Sequence, residues 1–540
     1  MSSPPPSSPP RLGLTVRVLV VIIACIGFLF DTYELLMFPV IGSDAVGELI
    51  YVNPDGSSPG WLAELGLRND PNLKRGAPPT SAPVREWAGR MLWIAALCGG
   101  VFGLLGGWLI DRLGRKSIMI ASILAYSLSP VAAAFSSALW MLVLFRCTTF
   151  IGVCVEMVAA VTWLAELFEE KRTRELVIGW TLATASLGGI FVTEAYNFIV
   201  EHAKSFPALP FPSGHVPDNV AWRFTLLTGL IPGAAILLLM PFVPESRVWK
   251  EKKLAGTLRR PSFLDIFSPG LIRTTIVTTI LSACGYAAAF GAIQVTPLQV
   301  VAGLPDMAAL SARAGKAAAD AKGAEARLAK TEEGTPEYAE AKAAAADAKK
   351  AAAEASKEAG QALKARRGNI QRWQELGGLL GRILLAALLI FVPSRLLIQM
   401  FLVPGVVLLP LTLAYLVKQD YVVFATAFFF CGLLTVAQFS FLSEFLPKVF
   451  PTHLRGTGGS FATNFGGRML GTMAATLNTG FLSKLFPGDP KIPAEGALQV
   501  AYAAAVIGGS VYLIALLASF LLPSPQPEVE KELSALPASK

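Results

Sequence analysis

The sequence predicts an all-α, polytopic membrane protein, and three observations carry that reading. Of 540 residues, 53% are hydrophobic and only 16% are charged, where a soluble domain carries about 25% charge. Mean hydropathy is +0.54. The apolar residues gather into about twelve runs of the ~20 residues that span a bilayer. The cations, finally, are segregated into alternate connecting loops. Short strands of alternating hydropathy are absent, which argues against an outer-membrane barrel.

Taken in order, the runs lie near 14–42, 88–110, 117–135, 138–164, 176–199, 222–243, 272–302, 371–392, 395–416, 421–445, 456–485 and 497–522. Ahead of them, MSSPPPSSPPRLG (1–13) reads as a disordered tail. The apolar run that follows is too long for a signal-peptide core. All six cysteines (Cys25, Cys98, Cys147, Cys154, Cys284, Cys431) fall inside the runs. Their spacing suggests neither a zinc site nor a disulfide framework.

Loops near 111–116, 166–175, 246–273 and 448–455 are rich in cations, and the alternate loops near 136, 201–221 and 417–420 hold few. The positive-inside rule then places both termini in the cytoplasm, in a multi-pass protein of the inner (cytoplasmic) membrane. The net charge of +8 is accounted for by these loops, so no nucleic-acid partner is implied.

Two segments interrupt the pattern. Residues 43–87 form a long Pro/Gly-rich loop on the outer face, and 305–368 is an Ala/Lys/Glu tract. These are strong helix formers, and Gly334 and Pro336 break the tract midway. The reading is an antiparallel helical hairpin outside the membrane. With few large residues beyond Leu310, Leu328 and Tyr338, it acts as a spacer or docks an extracytoplasmic partner.

Four motifs stand out: GGWLIDRLGRKS (Gly106 to Ser117), VPESRVWK (Val243 to Lys250) and SEFLPKVFPTHLRGTGGS (Ser443 to Ser460) in or beside loops, and RCTTFIGVCVE (Arg146 to Glu156), second in chain order, inside the fourth run. In the first, a glycine face lets two helices approach closely, an aspartate follows near the helix end, and cations cluster on the cytoplasmic side. Together they resemble the major facilitator superfamily, most of all its metabolite/proton and aromatic-acid/proton symporters and sugar porters. The second motif departs from the family pattern, with Phe150, Cys154 and Val155 where glycines are usual. AELFEEKRTRELVIG (Ala165 to Gly179) is the first-half counterpart of the fourth motif. FVPSRLLIQ, the second-half copy of the first, lacks its aspartate.

The resemblance implies twelve spans in two six-helix halves. The chain then divides into a tail (1–13), an N-terminal half (14–245), a cytoplasmic linker (246–271), a C-terminal half (272–523) containing the insert, and a second tail (524–540). It also implies gating roles for Gly107, Asp111, Arg112, Gly114, Arg115, Lys116, Glu166, Arg172, Glu245, Arg247, Glu444 and Arg455. Related halves are expected of such transporters.

FDTYELLM places Asp31 and Glu34 on one helical face of the first run and resembles the F-D-G-Y-D-L element of aromatic-acid/proton symporters. Ionised acids at that depth cost at least ~2.5–3.5 kcal/mol, so they face a cavity or a partner. Arg146 lies near the depth of Asp31, and an Asp31–Arg146 pair is expected, either coupling protons or permanently tying two helices. Glu34 lies nearer the outer end, within reach of water. Glu156 is the next proton-coupling candidate. Gln294, Gln438, Asn464 and Arg468 are candidate substrate ligands, Arg468 by likeness to a G-G-R-x-G element of the same symporters. Arg382 is placed near the outer end of its span, where it snorkels or meets carbonyls.

Arginines recognise carboxylates bidentately, so the predicted function is alternating-access transport of a small organic anion in symport with protons. No cofactor or metal is implied, and a monomer is expected. A drug/proton antiporter is the alternative, weakened because GWTLATASLGGIFVTEA lacks the proline of the usual fifth-span element. A non-transporting receptor or scaffold is a further alternative. No nucleophile–base or metal-ligand pattern suggests an enzyme.

Overall fold

The computed structural model describes residues 13–523 apart from 69, 168–170, 211–219, 243–244, 246–249, 251–253, 255–262, 390 and 452–453. The first apolar run becomes α1 (Leu14–Leu49), with Pro39 inside it. There follow α2 (Ala82–Leu113), α3 (Arg115–Ala134), α4 (Leu139–Leu167) and α5 (Lys171–His202). The next run is split at Gly229 into α6 (Ala221–Leu227) and α7 (Leu230–Leu239). Between α1 and α2, a one-turn helix and a two-residue antiparallel ladder (Tyr51–Val52 with Lys74–Arg75) organise the long loop. Gly114 joins α2 to α3 at φ +99°, a conformation that side chains with a Cβ rarely adopt.

Beyond the basic linker, α8 (Ile272–Ala288) passes through a π-helical turn at 289–293 into α9 (Val295–Gln299). The hairpin is α10 (Pro305–Leu328) and α11 (Pro336–Leu388), with Gly334 at φ +92° in the turn. Thr335 accepts from the Tyr338 N–H at 3.1 Å to cap α11. The hairpin does not end at residue 368: α11 runs 53 residues unbroken into the eighth apolar run. Then come α12 (Ser394–Ala414), α13 (Tyr421–Val449) and α14 (Arg455–Ser460). A π-helical stretch (Phe461–Gly471) leads to α15 (Met473–Gly480), and α16 (Pro493–Ser519) follows.

Among the described residues, eight helical stretches are long and apolar enough to cross a membrane. The other expected spans fall on helices as well: α5, the pair α6 and α7, α11, and the π-helical stretch with α15.

The first five helices pack as one bundle, α1 on α5 and α4 on both α2 and α3. In the second bundle α11 packs on α13, α12 on α16, and α8 on the π-helical stretch. The bundles meet along two seams: α5 against α11, and α2 against the π-helical stretch and α15. Counting runs along the chain, these seams pair the fifth with the eighth and the second with the eleventh. A shift of six runs exchanges them, as a pseudo-two-fold between related halves requires. Where α4 lacks the usual glycines, the small residue has moved across: a Cβ on Gly99 of α2 would lie 2.7 Å from Cys154 Sγ.

Candidate functional site

Asp31 of α1, Glu156 of α4 and Arg468 of the π-helical stretch are all buried and converge between the bundles. The Asp31 carboxyl faces Glu156, with Arg468 in electrostatic reach. Among the described residues no other side chain or backbone N–H donates to either carboxyl. Gly27, one turn before Asp31, makes the room: a Cβ there would lie 2.7 Å from Glu156 Oε1. Arg468 donates Nη1 to Asn464 Oδ1, and its Nη2 lies 3.7 Å from Met157 Sδ. Asn464 in turn donates to Ser460 Oγ at 3.0 Å and rests on Gly103 of α2. Irregular π turns gather at functional sites. This one sets Asn464 and Arg468, one turn apart, against the opposite bundle.

The expected Asp31–Arg146 ion pair is not formed. Arg146 instead donates Nη1 to the Glu34 carbonyl (2.8 Å) and Nη2 to the Leu35 carbonyl (3.0 Å), with its guanidinium over the rings of Phe38 (5.3 Å) and Phe150 (4.8 Å). The reason is Pro39. Proline has no N–H, so the Leu35 carbonyl four residues earlier lacks a helical donor, and in lipid such a group must be satisfied by another. Glu34 does not reach water: it is fully buried, its carboxylate seated against Gly229. Its backbone neighbour Tyr33 bonds Thr228 at 2.5 Å, which holds the split between α6 and α7 to α1.

Of the other candidate ligands, Gln438 donates to the Leu434 carbonyl at 3.3 Å inside the second bundle, and Gln294 is buried at the head of α9. No contact joins either to Arg468 among the described residues. Arg382 lies seven residues beyond Glu375 on α11, on the side away from the hairpin rather than near its end. Sequence reasoning missed Tyr286, whose ring lies against Gly467 and packs edge-on to Phe439 at 5.0 Å. It also missed the buried group Gln371, Gln374 and Glu375.

Among the gating candidates, Glu245 accepts the Lys116 backbone N–H at 3.1 and 3.2 Å, a carboxylate at the start of α3 where the helix dipole favours it. Glu444 pairs with Lys448 one turn on. Gly107, Asp111, Arg112 and Arg115 sit where α2 gives way to α3. The side chains of Asp111, Arg112, Arg115, Glu166, Arg172, Arg247 and Arg455 lie outside the described residues.

At the opposite end of the bundles from Gly114, the hairpin side, polar contacts join the two halves. Arg367 and Lys364 of α11 reach Asp44 of α1 at 3.3 and 3.7 Å. Arg372 grips Glu194 of α5 at 2.5 and 2.7 Å. Arg85 donates to the Pro490 carbonyl at 2.9 Å, Ser43 to the Leu298 carbonyl at 2.7 Å, and Lys484 meets Glu86 at 2.6 Å. Above this seal a cavity of 540 Å³ opens between α1, the hairpin base and the 76–80 loop.

Two bundles with these seams and a charged cluster between them describe the fold of the major facilitator superfamily, and residues 76–318 match the model of that family, Major Facilitator Superfamily. The D-xylose–proton symporter superposes with a TM-score of 0.58 at 13% identity, covering 95% of this chain and 99% of that one. A bacterial homologue of the human lysosomal transporter Spinster, inward-facing and unoccupied, gives 0.56 at 14%, covering 96% and 100%.

Curated relatives align over shorter stretches. Solute carrier family 2, facilitated glucose transporter member 8, of Bos taurus is 27% identical over 33% of this chain and 32% of its own length. The probable inorganic phosphate transporter 1-2 of Arabidopsis thaliana is 27% identical over 42% and 41%. The cis,cis-muconate transport protein of Acinetobacter baylyi is 26% identical over 36% and 44%. The chain thus spans less than half the length of each of these relatives.

Proposed function

We propose that the chain is an alternating-access transporter that carries a small organic anion in symport with protons. The observation that carries this reading is the convergence of Asp31, Glu156 and Arg468 in the seam between the bundles. Two facing carboxyls and one guanidinium leave a negative charge to balance in a low-dielectric place, and a proton balances it. An incoming carboxylate takes the Arg468 guanidinium bidentately, displacing it from Asn464 and from the field of Asp31. Asp31 then holds its proton until the site opens to the other side. One anion and one proton cross together. The names of two relatives, a phosphate and a muconate transporter, support an anion.

The apolar helices support a multi-pass membrane protein. We assign twelve spans, an inner-membrane location, cytoplasmic termini and an extracytoplasmic hairpin, on the cation bias of the loops. The hairpin is then no spacer but part of the outer closure, since its second helix supplies Lys364, Arg367 and Arg372 to that seal. Asp111 with Arg112, Arg115 and Lys116 governs exchange at the other face, and Glu245 fixes the loop that bears them. The test is uptake into proteoliposomes of cis,cis-muconate, inorganic phosphate and D-xylose, each with and without an inward proton gradient. Gradient-driven accumulation of muconate or phosphate supports the reading. Uptake of D-xylose alone contradicts the anion assignment, and no uptake of any probe contradicts transport.

A further inference from the structure

The α5–α11 seam holds a carboxylate that the mechanism above does not use. Glu375 of α11 is buried, and its Oε1 accepts from Gln374 Nε2 at 2.8 Å and Gln371 Nε2 at 3.1 Å. Its Oε2 lies against the backbone of Gly189 on α5, where any Cβ would collide with it, and the same notch is closed by Leu36 of α1. Among the described residues no donor reaches Oε2. The charge that acts on Glu375 is Arg382, two turns along its own helix. From α5 the nearest titratable group is Glu194, already gripped by Arg372. At this notch α1 presents Leu36. On α13, Cys431 contacts Thr412, Tyr421 lies under Arg366 at the hairpin end, and Glu444 pairs with Lys448 at the other end. α9 carries no titratable side chain.

We propose that the Glu375 pocket is a second proton-binding site, emptied and filled as the halves part and close on the hairpin side. An ionised oxygen pressed into an apolar notch is costly, and a proton on Oε2 removes that cost without disturbing the two amide donors at Oε1. Five residues separate Gly189 from Glu194 on α5, about 7.5 Å along the axis. The Arg372–Glu194 pair therefore sits between the notch and the hairpin face. Breaking that pair withdraws Gly189, widens the access of water to Oε2 and lets the proton leave to bulk. Rebinding it from bulk water allows the seam to close again. Nothing else is made or broken in the step.

The inference rests on the alternating-access reading, and its test separates the two. Spin labels are placed at Ser58, exposed in the α1–α2 loop, and at Lys357, exposed on the hairpin. Their distance is followed by pulsed electron resonance in the full-length protein in nanodiscs, without added solute, from acid to alkaline pH. Wild type is expected to shift from the short to the long distance as pH rises. E375Q, which cannot ionise, loses most of that shift, and E375D, which can, retains it. G189A is expected to favour the long distance even at acid pH, because its methyl displaces the Glu375 carboxyl. An E375Q response equal to that of wild type overturns the site. A wild-type chain that holds the short distance at every pH, even with R372A, overturns the site and alternating access together.

Discussion

Arg146 of α4 donates to the carbonyl of Leu35, the acceptor that Pro39 leaves without a helical donor in α1. The contact assigns to this buried arginine the repair of a proline break and gives α1 and α4 a fixed register. Removing it should cost the about 1–3 kcal/mol of an unsatisfied buried polar group. Arg146→Ala is expected to lower stability by that order in detergent unfolding. Pro39→Ala, which restores an N–H, should recover part of the loss. A double-mutant cycle with no coupling between the positions would contradict the assignment.

Buried carboxyls sit on glycines: Glu156 on Gly27, Glu34 on Gly229 and Glu375 on Gly189. Overpacking a well-filled site costs about 1–3 kcal/mol. Gly27→Ala should therefore destabilise wild type by that order and cost almost nothing in a Glu156→Ala background. Equal costs in both backgrounds would mean that the glycine serves helix packing alone.

How far the sequence spoke follows from these contacts. The apolar runs and loop motifs were legible because hydropathy and spacing are local properties. The partner of Asp31 was not, because run bounds fix depth only coarsely: Arg146 meets α1 about one turn further along, at Glu34 and Leu35, and Glu156, ten residues or about 15 Å along α4, is the group that faces Asp31. Pro39 was a readable signal, standing one turn after the carbonyl that Arg146 now satisfies. Glu375 lay inside the eighth run, 371–392, but was hidden because the sequence does not show that α11 turns this residue toward α5 in the seam. The π-helical stretch that presents Asn464 and Arg468 has no sequence signature.

The hairpin-side seal makes a prediction about access. Asp44→Asn leaves the buried Arg367 without its counter-ion, and breaking a buried pair costs about 3–5 kcal/mol, here taken from the closed state. A cysteine at Thr80, on the wall of the 540 Å³ cavity, should then react faster with a membrane-impermeant maleimide. In intact cells a cysteine at Ala312 should be labelled from outside and one at Gly456 spared. The reverse pattern would invert the topology.

Arg468→Lys keeps the charge and loses the fork. If Arg468 holds a substrate carboxylate through two parallel bonds, the affinity for the transported anion should fall by about tenfold or more, or at least 1.4 kcal/mol. Proton dependence should persist. Calorimetric titration with that anion reads the change, and an unchanged affinity would remove Arg468 from the site.

The central claim is that Asp31 holds the transported proton in the field of Glu156 and Arg468. Asp31→Asn mimics its protonated state permanently, so the halves still exchange with substrate bound but no proton is released. The most direct measurement is counterflow in proteoliposomes, with and without a pH gradient, using the anion that wild type accumulates. The account predicts that Asp31→Asn exchanges internal for external anion as wild type does and fails to accumulate it against a gradient. Proton-driven accumulation by Asp31→Asn would contradict the account.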